Sequence, residues 1–161
     1  MFTNRRNQAM SKLSKLSLIF TNWRNRAMSK KDYPEYISQN FKLSEMTKTS
    51  FKNVDNSIPN DKVYNNLVFG CRYVLQPVRD AVHMPIIVTS GYRCQRLNSL
   101  VGGVKNSAHM EGRAADIRIK HLTPKTRLKL YELLRANKYT TQVLWEKNKV
   151  TQWLHVSWEG L

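Results

Sequence analysis

The sequence predicts an α+β domain, a small antiparallel sheet packed with helices, and three observations carry that reading. Two runs near the end of the chain, Gln142–Glu146 and Gln152–Trp158, alternate at strand period and are joined by the polar turn Lys147-Asn148-Lys149. Two stripes at helical spacing precede them, one through Val63, Leu67, Cys71, Val74, Leu75 and Val78 and one through Leu130, Leu133 and Leu134. With 161 residues, 41% hydrophobic content, four Trp and seven Tyr, the chain can bury one core of ordinary size and does not have the composition of a disordered protein.

Each element has a local reason. Ser44, after Phe41-Lys42-Leu43, is placed to cap a short helix. The first long stripe starts after Pro59, and Pro77 inside it should kink or split the helix near Gln76. Pro85-Ile86-Ile87-Val88-Thr89 reads as a short buried strand that delivers Ser90–Arg93 to a loop. A second strand covers Ala115–Ile119. Thr123 as cap and Pro124 at the first helical position open a helix that runs to about Lys138. In the last strand, alternation puts Leu154, Val156 and Trp158 on a core face and Trp153, His155 and Ser157 on the opposite, cleft-facing side.

The net charge of +16 is unevenly spread. Residues 1–31 carry Arg5, Arg6, Lys12, Lys15, Arg24, Arg26, Lys30 and Lys31 and no acid, and the run Thr3–Lys12 returns in altered form as Thr21–Lys30. Two copies are too few for a solenoid, which needs at least about three units. A recent duplication, a basic tail, or initiation at Met28 each accounts for the repeat. The expected division is a basic extension over 1–31 and a folded domain over 32–161. The extension is either a solvated tail or an adhesive segment for an anionic polymer, membrane or nucleic acid. No apolar run is long enough to span a bilayer, and Leu16–Phe20 is too short for the core of a signal peptide.

The run Ser107-Ala108-His109-Met110-Glu111-Gly112-Arg113-Ala114-Ala115-Asp116 holds one imidazole and one carboxylate seven positions apart, and His155 follows inside Trp153-Leu154-His155-Val156-Ser157-Trp158. Two histidines and one carboxylate form the ligand set of a catalytic zinc site with a fourth position open. On one helix His109 and Asp116 would lie about 10 Å apart along the axis, too far for ligand atoms each about 2 Å from one metal. The better reading places His109 on a loop, a turn near Gly112, and Asp116 on a returning strand. Taken alone, the run fits an exposed loop histidine and a solvated strand-end aspartate equally well.

The pattern S-x-H-x-x-G-x-A-x-D followed by W-x-H-V-S resembles the zinc D-Ala-D-Ala carboxypeptidase and L-alanyl-D-glutamate peptidase family, and its wording is also close to the metal-site run of the hedgehog signalling domain, which shares the fold. Thr89-Ser90-Gly91-Tyr92-Arg93, Leu97-Asn98 and Val101-Gly102-Gly103 match the same family in order and spacing, so the resemblance covers about residues 41–161. It implies one zinc ion held by His109, Asp116 and His155, and hydrolysis of peptidoglycan stem peptides by a carboxypeptidase or a phage-type endopeptidase. A lysin of that kind, a monomer made in the cytoplasm, would act at the cell wall after release, with the basic extension available to anionic wall polymer.

The general base is where the chain departs from the family. Many members place an acid three positions before the last zinc histidine, and Gln152 stands there. The nearest acid is Glu146, and the hedgehog-like branch of the resemblance implies it as base; the bland alternative is a strand-end carboxylate at the cleft rim. Arg93 is implied as the cation for a developing oxyanion or a substrate carboxylate, against a purely structural ion pair. Ser107 is expected to hydrogen-bond substrate, against a purely structural role in its loop, Trp153 to face the cleft and contact substrate, and Glu111 to sit at the rim or behind the ligands. His83 and His121 read as surface histidines, and Cys71 and Cys94 as free thiols. A second class of function, a catalytically silent zinc fold that binds wall or signals, also fits the resemblance. Nucleic-acid binding rests on charge alone and has no recognition motif behind it.

Overall fold

The computed structural model describes residues 33–161, and the expectations for the basic extension lie outside them. Within Pro34–Leu161 the elements are α1 (Leu43–Thr47), α2 (Asp61–Gly70), a π-helical turn (Cys71–Leu75), α3 (Gln76–Val82), β1 (Ile87–Ser90), α4 (Gln95–Leu100), a 3-10 turn (Ala108–Glu111), β2 (Ala114–Arg118), α5 (Pro124–Ala136), β3 (Thr140–Lys147) and β4 (Gln152–Trp158). All strand pairs are antiparallel in the order β1-β2-β4-β3, so the fold is α+β with one small sheet.

The sheet uses its two faces differently. Leu154, Val156 and Trp158 of β4 are fully buried with Ile117 of β2, and α5 adds Leu130 and Leu134 where it packs on β3. The other face carries Asp116, His155 and Trp153, whose pairings Asp116↔His155 and Arg118↔Trp153 put side chains from β2 and β4 in common rows. The Trp158 indole N–H donates to the Asn66 carbonyl at 2.9 Å and ties β4 to α2.

Several local expectations need correction. The cap of α1 is Lys42, not Ser44: the Lys42 backbone N–H donates to the Glu45 carboxylate at 2.8 Å, and Ser44 lies inside the helix. The helix is split at Gln76, as Pro77 predicts, and the break is a π-helical turn over Cys71–Leu75. Proline has no N–H to give the Tyr73 carbonyl one turn back. The Asn137 amide supplies that bond instead, at 2.8 Å. The strand expected over Pro85–Thr89 runs over Ile87–Ser90, and the strand expected over Ala115–Ile119 starts and ends one residue earlier. Leu133 is half-buried, because α5 covers the sheet with a single row through Leu130 and Leu134. Thr123 caps α5 as expected, accepting from the Thr126 N–H at 3.2 Å. Cys71 and Cys94 are free thiols.

Candidate functional site

His109 reaches the cleft from a 3-10 turn, and Gly112 closes that turn with φ +69°. A side chain at Gly112 would be strained in that left-handed conformation and would also meet the Val63 carbonyl oxygen at 2.6 Å. The chain then enters β2, where Asp116 stands opposite His155 of β4. The loop-turn-strand reading of the Ser107–Asp116 run therefore holds, and the strand register supplies the third residue.

The three side chains converge. His109 Nε2 lies 3.2 Å from Asp116 Oδ1, His155 Nδ1 lies 3.0 Å from the same oxygen, and the two ring nitrogens are 3.3 Å apart. A tetrahedral zinc ion with donors at about 2.0–2.2 Å spaces those donors about 3.3 Å from one another. Donor chemistry and spacing both fit a zinc ion, and these residues could hold one. His109 is 2% exposed and Asp116 7%, so the cluster lies deep in the cleft wall.

Neighbours orient these groups. The His109 Nδ1–H donates to the Gly91 carbonyl at 2.6 Å, which turns Nε2 toward the cluster, where it also lies 3.0 Å from the Arg93 guanidinium. Arg93 donates to Asp116 Oδ2, leaving Oδ1 for the shared centre, and its Nε–H donates to Ser90 Oγ at 2.9 Å. Burial works against the charge of Asp116, but hydrogen bonds from the His109 and His155 rings and the charges of His109 and Arg93 outweigh it. The carboxyl is held well below the usual carboxylate range.

The cluster opens on a cleft of about 740 Å³. Arg93, Ser107, Glu146 and Trp153 all line it with the three candidate ligands. Glu146 pairs with Trp153 in the β3–β4 register, one row from the Leu144↔His155 pair, so it shares the cleft face. Gln152 pairs with Lys147 on the opposite face and lines a separate groove with Lys120 and Lys149. An acid at position 152 would point away from the ligands, whereas Glu146 borders the same cleft. Arg93 is an ion-pair partner of Asp116 and a cleft residue at once, so its two sequence readings are not exclusive. Glu111 is exposed and pairs with Arg113, and His83 and His121 are exposed away from the cluster.

Two supporting roles, those of Asn56 and of Gly91 within the Thr89–Arg93 run, escaped the sequence reading. The Asn56 amide donates to the Thr47 and Tyr92 carbonyls at 2.9 and 2.8 Å and accepts from the Cys94 N–H at 2.7 Å, which clamps the loop that carries Arg93. Gly91 allows the Tyr92 N–H to reach the Met46 carbonyl at 2.7 Å. Neither has a periodic signal, because each acts through contacts distant in sequence.

A family model described as Peptidase M15 matches residues 39–157. Comparison with curated proteins finds no match.

Proposed function

The chain belongs to the peptidase M15 family, and from that premise we propose that it hydrolyses peptidoglycan peptides with a zinc ion held by His109, Asp116 and His155. The observation that carries the reading is the convergence of three donor atoms within 3.0–3.3 Å of one another on the wall of a cleft that Glu146 and Arg93 also line. When bound, zinc would acidify a water molecule and polarise the scissile carbonyl as a Lewis acid.

The remaining work falls to the chain. Glu146, one row from His155 on the cleft face, accepts the proton of the attacking water and returns it to the leaving amine. Arg93 sets a positive charge beside the cluster, where negative charge grows on the carbonyl oxygen. Its bond to Ser90 fixes the guanidinium and limits the reorganisation needed. Ser107 and Trp153, which line the cleft with His109 and His155, contact the peptide. The enzyme acts as a monomeric D-Ala-D-Ala carboxypeptidase or a phage-type endopeptidase at the cell wall, with residues 1–31 adhering to anionic wall polymer.

Digestion of purified muropeptides, read by mass spectrometry, tests this. Loss of one alanine identifies a carboxypeptidase, and separation of L-Ala from D-Glu or of a cross-link identifies an endopeptidase. Glu146→Gln should lower kcat by about 10²- to 10⁴-fold with zinc content unchanged. Full activity in that variant removes Glu146 as base. A zinc-loaded wild type that cuts no muropeptide overturns the peptidase reading in favour of a silent binding fold.

A further inference from the structure

The cleft face of the sheet is organised in rows. One row runs Asp116, His155, Leu144 across β2, β4 and β3, and the next runs Arg118, Trp153, Glu146. The second row is polarised: its acid sits on β3, its guanidinium on β2, and an indole stands between them. Two strand spacings put the Cα atoms of Arg118 and Glu146 roughly 10 Å apart, with Trp153 between them. Arg118 is exposed and makes no ion pair among the described residues. Past it, the end of the sheet is basic: Lys120, Arg127 and Lys149 line a groove of about 300 Å³ whose walls include no acid. Such a field draws anions, and Arg118 is the next cation along β2 from the cluster, where Arg93 is already paired with Asp116.

Arg118 stands two residues beyond Asp116, about 7 Å along the strand. An extended peptide advances about 3.4 Å per residue, so a group one or two residues from a scissile bond held at the cluster falls within reach of this side chain. A guanidinium suits a carboxylate because its planar donors match the two oxygens. We infer that Arg118 is a specificity-determining residue, binding a free carboxylate of the peptide one or two residues from the bond that is cut. This inference rests on the peptidase reading above and names a feature of its substrate.

The test uses the zinc-loaded full chain and two probes, the peptide L-Ala-γ-D-Glu-L-Lys-D-Ala-D-Ala and its counterpart with the carboxylate next to the cut bond amidated, the glutamate α-carboxylate for cleavage after L-Ala or the C-terminal carboxylate for loss of D-Ala. Binding is followed by calorimetry and hydrolysis by mass spectrometry. Wild type should prefer the carboxylate peptide about 3- to 10-fold at low salt, and the preference should shrink as salt rises. Arg118→Gln should erase the preference by weakening the carboxylate peptide alone, Arg118→Lys should keep part of it, and melting temperatures should stay unchanged. Hydrolysis without discrimination, or an Arg118→Gln loss equal for both peptides, overturns the role of Arg118 and leaves the peptidase reading intact. Binding with an Arg118-dependent preference but no cleavage overturns hydrolysis and keeps Arg118 as an anion contact. If neither peptide is bound or cut, both readings fail.

Discussion

Gly91→Ala tests how the fold positions the metal ligands. A Cβ at residue 91 would lie 2.5 Å from the Met46 carbonyl oxygen and 2.8 Å from the Met46 Cα. Those atoms are backbone, held by the Tyr92 N–H bond to the same carbonyl at 2.7 Å, so no side chain can rotate away. Relief requires the segment around residue 91 to retreat by several tenths of an ångström. That movement carries the Gly91 carbonyl off its 2.6 Å contact with His109 Nδ1 and disturbs the approach of Arg93 to Asp116. Overpacking of this kind costs about 1–3 kcal/mol. For a domain of this size the unfolding entropy is about 0.27 kcal/mol per degree, so melting should fall by about 4–11 °C. Loss of an outer hydrogen bond to a ligating histidine should weaken zinc binding by about 10- to 100-fold. Scanning fluorimetry with and without zinc, and competition against a chelating dye, read both effects. Unchanged melting and unchanged zinc affinity would refute the claim that this backbone contact sets the His109 ring.

Three further outcomes follow from the same contacts. His109→Ala, Asp116→Ala and His155→Ala should each abolish stoichiometric zinc by metal analysis, and chelator should no longer lower their melting temperatures; in zinc-free protein Asp116→Ala should be the most damaging, by about 3–5 kcal/mol, because it strands the mostly buried Arg93. Burial pushes the Cys71 thiol up, so it should resist alkylation in native protein while half-buried Cys94 reacts. The sign follows from linkage: the stability is fully present below the unfolded thiol pKa of about 8.5, and above it the unfolded chain releases a proton that the folded chain keeps. Stability should then fall by up to about 1.4 kcal/mol per pH unit from this group, and denaturant melts of Cys71→Ala should show a shallower alkaline slope. Asn137→Ala should cost about 0.5–1 kcal/mol by freeing the exposed Tyr73 carbonyl, and less in a Pro77→Ala background where a backbone N–H is restored; equal costs in both backgrounds would detach Asn137 from the proline.

What could be read from the sequence was whatever repeats locally or recurs as a motif. The alternation of β4 and the cap and proline of α5 are decided by neighbours a few residues apart, and both matched the structure. The ends of β1 depend on the pairing Ile87↔Arg118, which no window around residue 87 contains. The cap at Lys42, the Asn137 bond and the Gly91–Met46 contact failed to show for the same reason: each needs a partner from another segment.

The site shows how the two kinds of information meet. His109 and Asp116 are brought close by a short turn at Gly112, but His155 arrives only through the β2–β4 register. A slip of one residue in that register would turn His155 to the core side and Leu154 to the cleft. The register is held from the opposite face, where Leu154, Val156 and Trp158 are each fully buried and Trp158 is fixed to Asn66. Exposing any of those three side chains would cost roughly 1.5–3 kcal/mol or more, which exceeds the gain from any alternative strand pairing. The apolar half of β4 therefore determines whether its polar half can complete the donor set. That is why the alternation of Gln152–Trp158 carried as much functional information as the histidine within it.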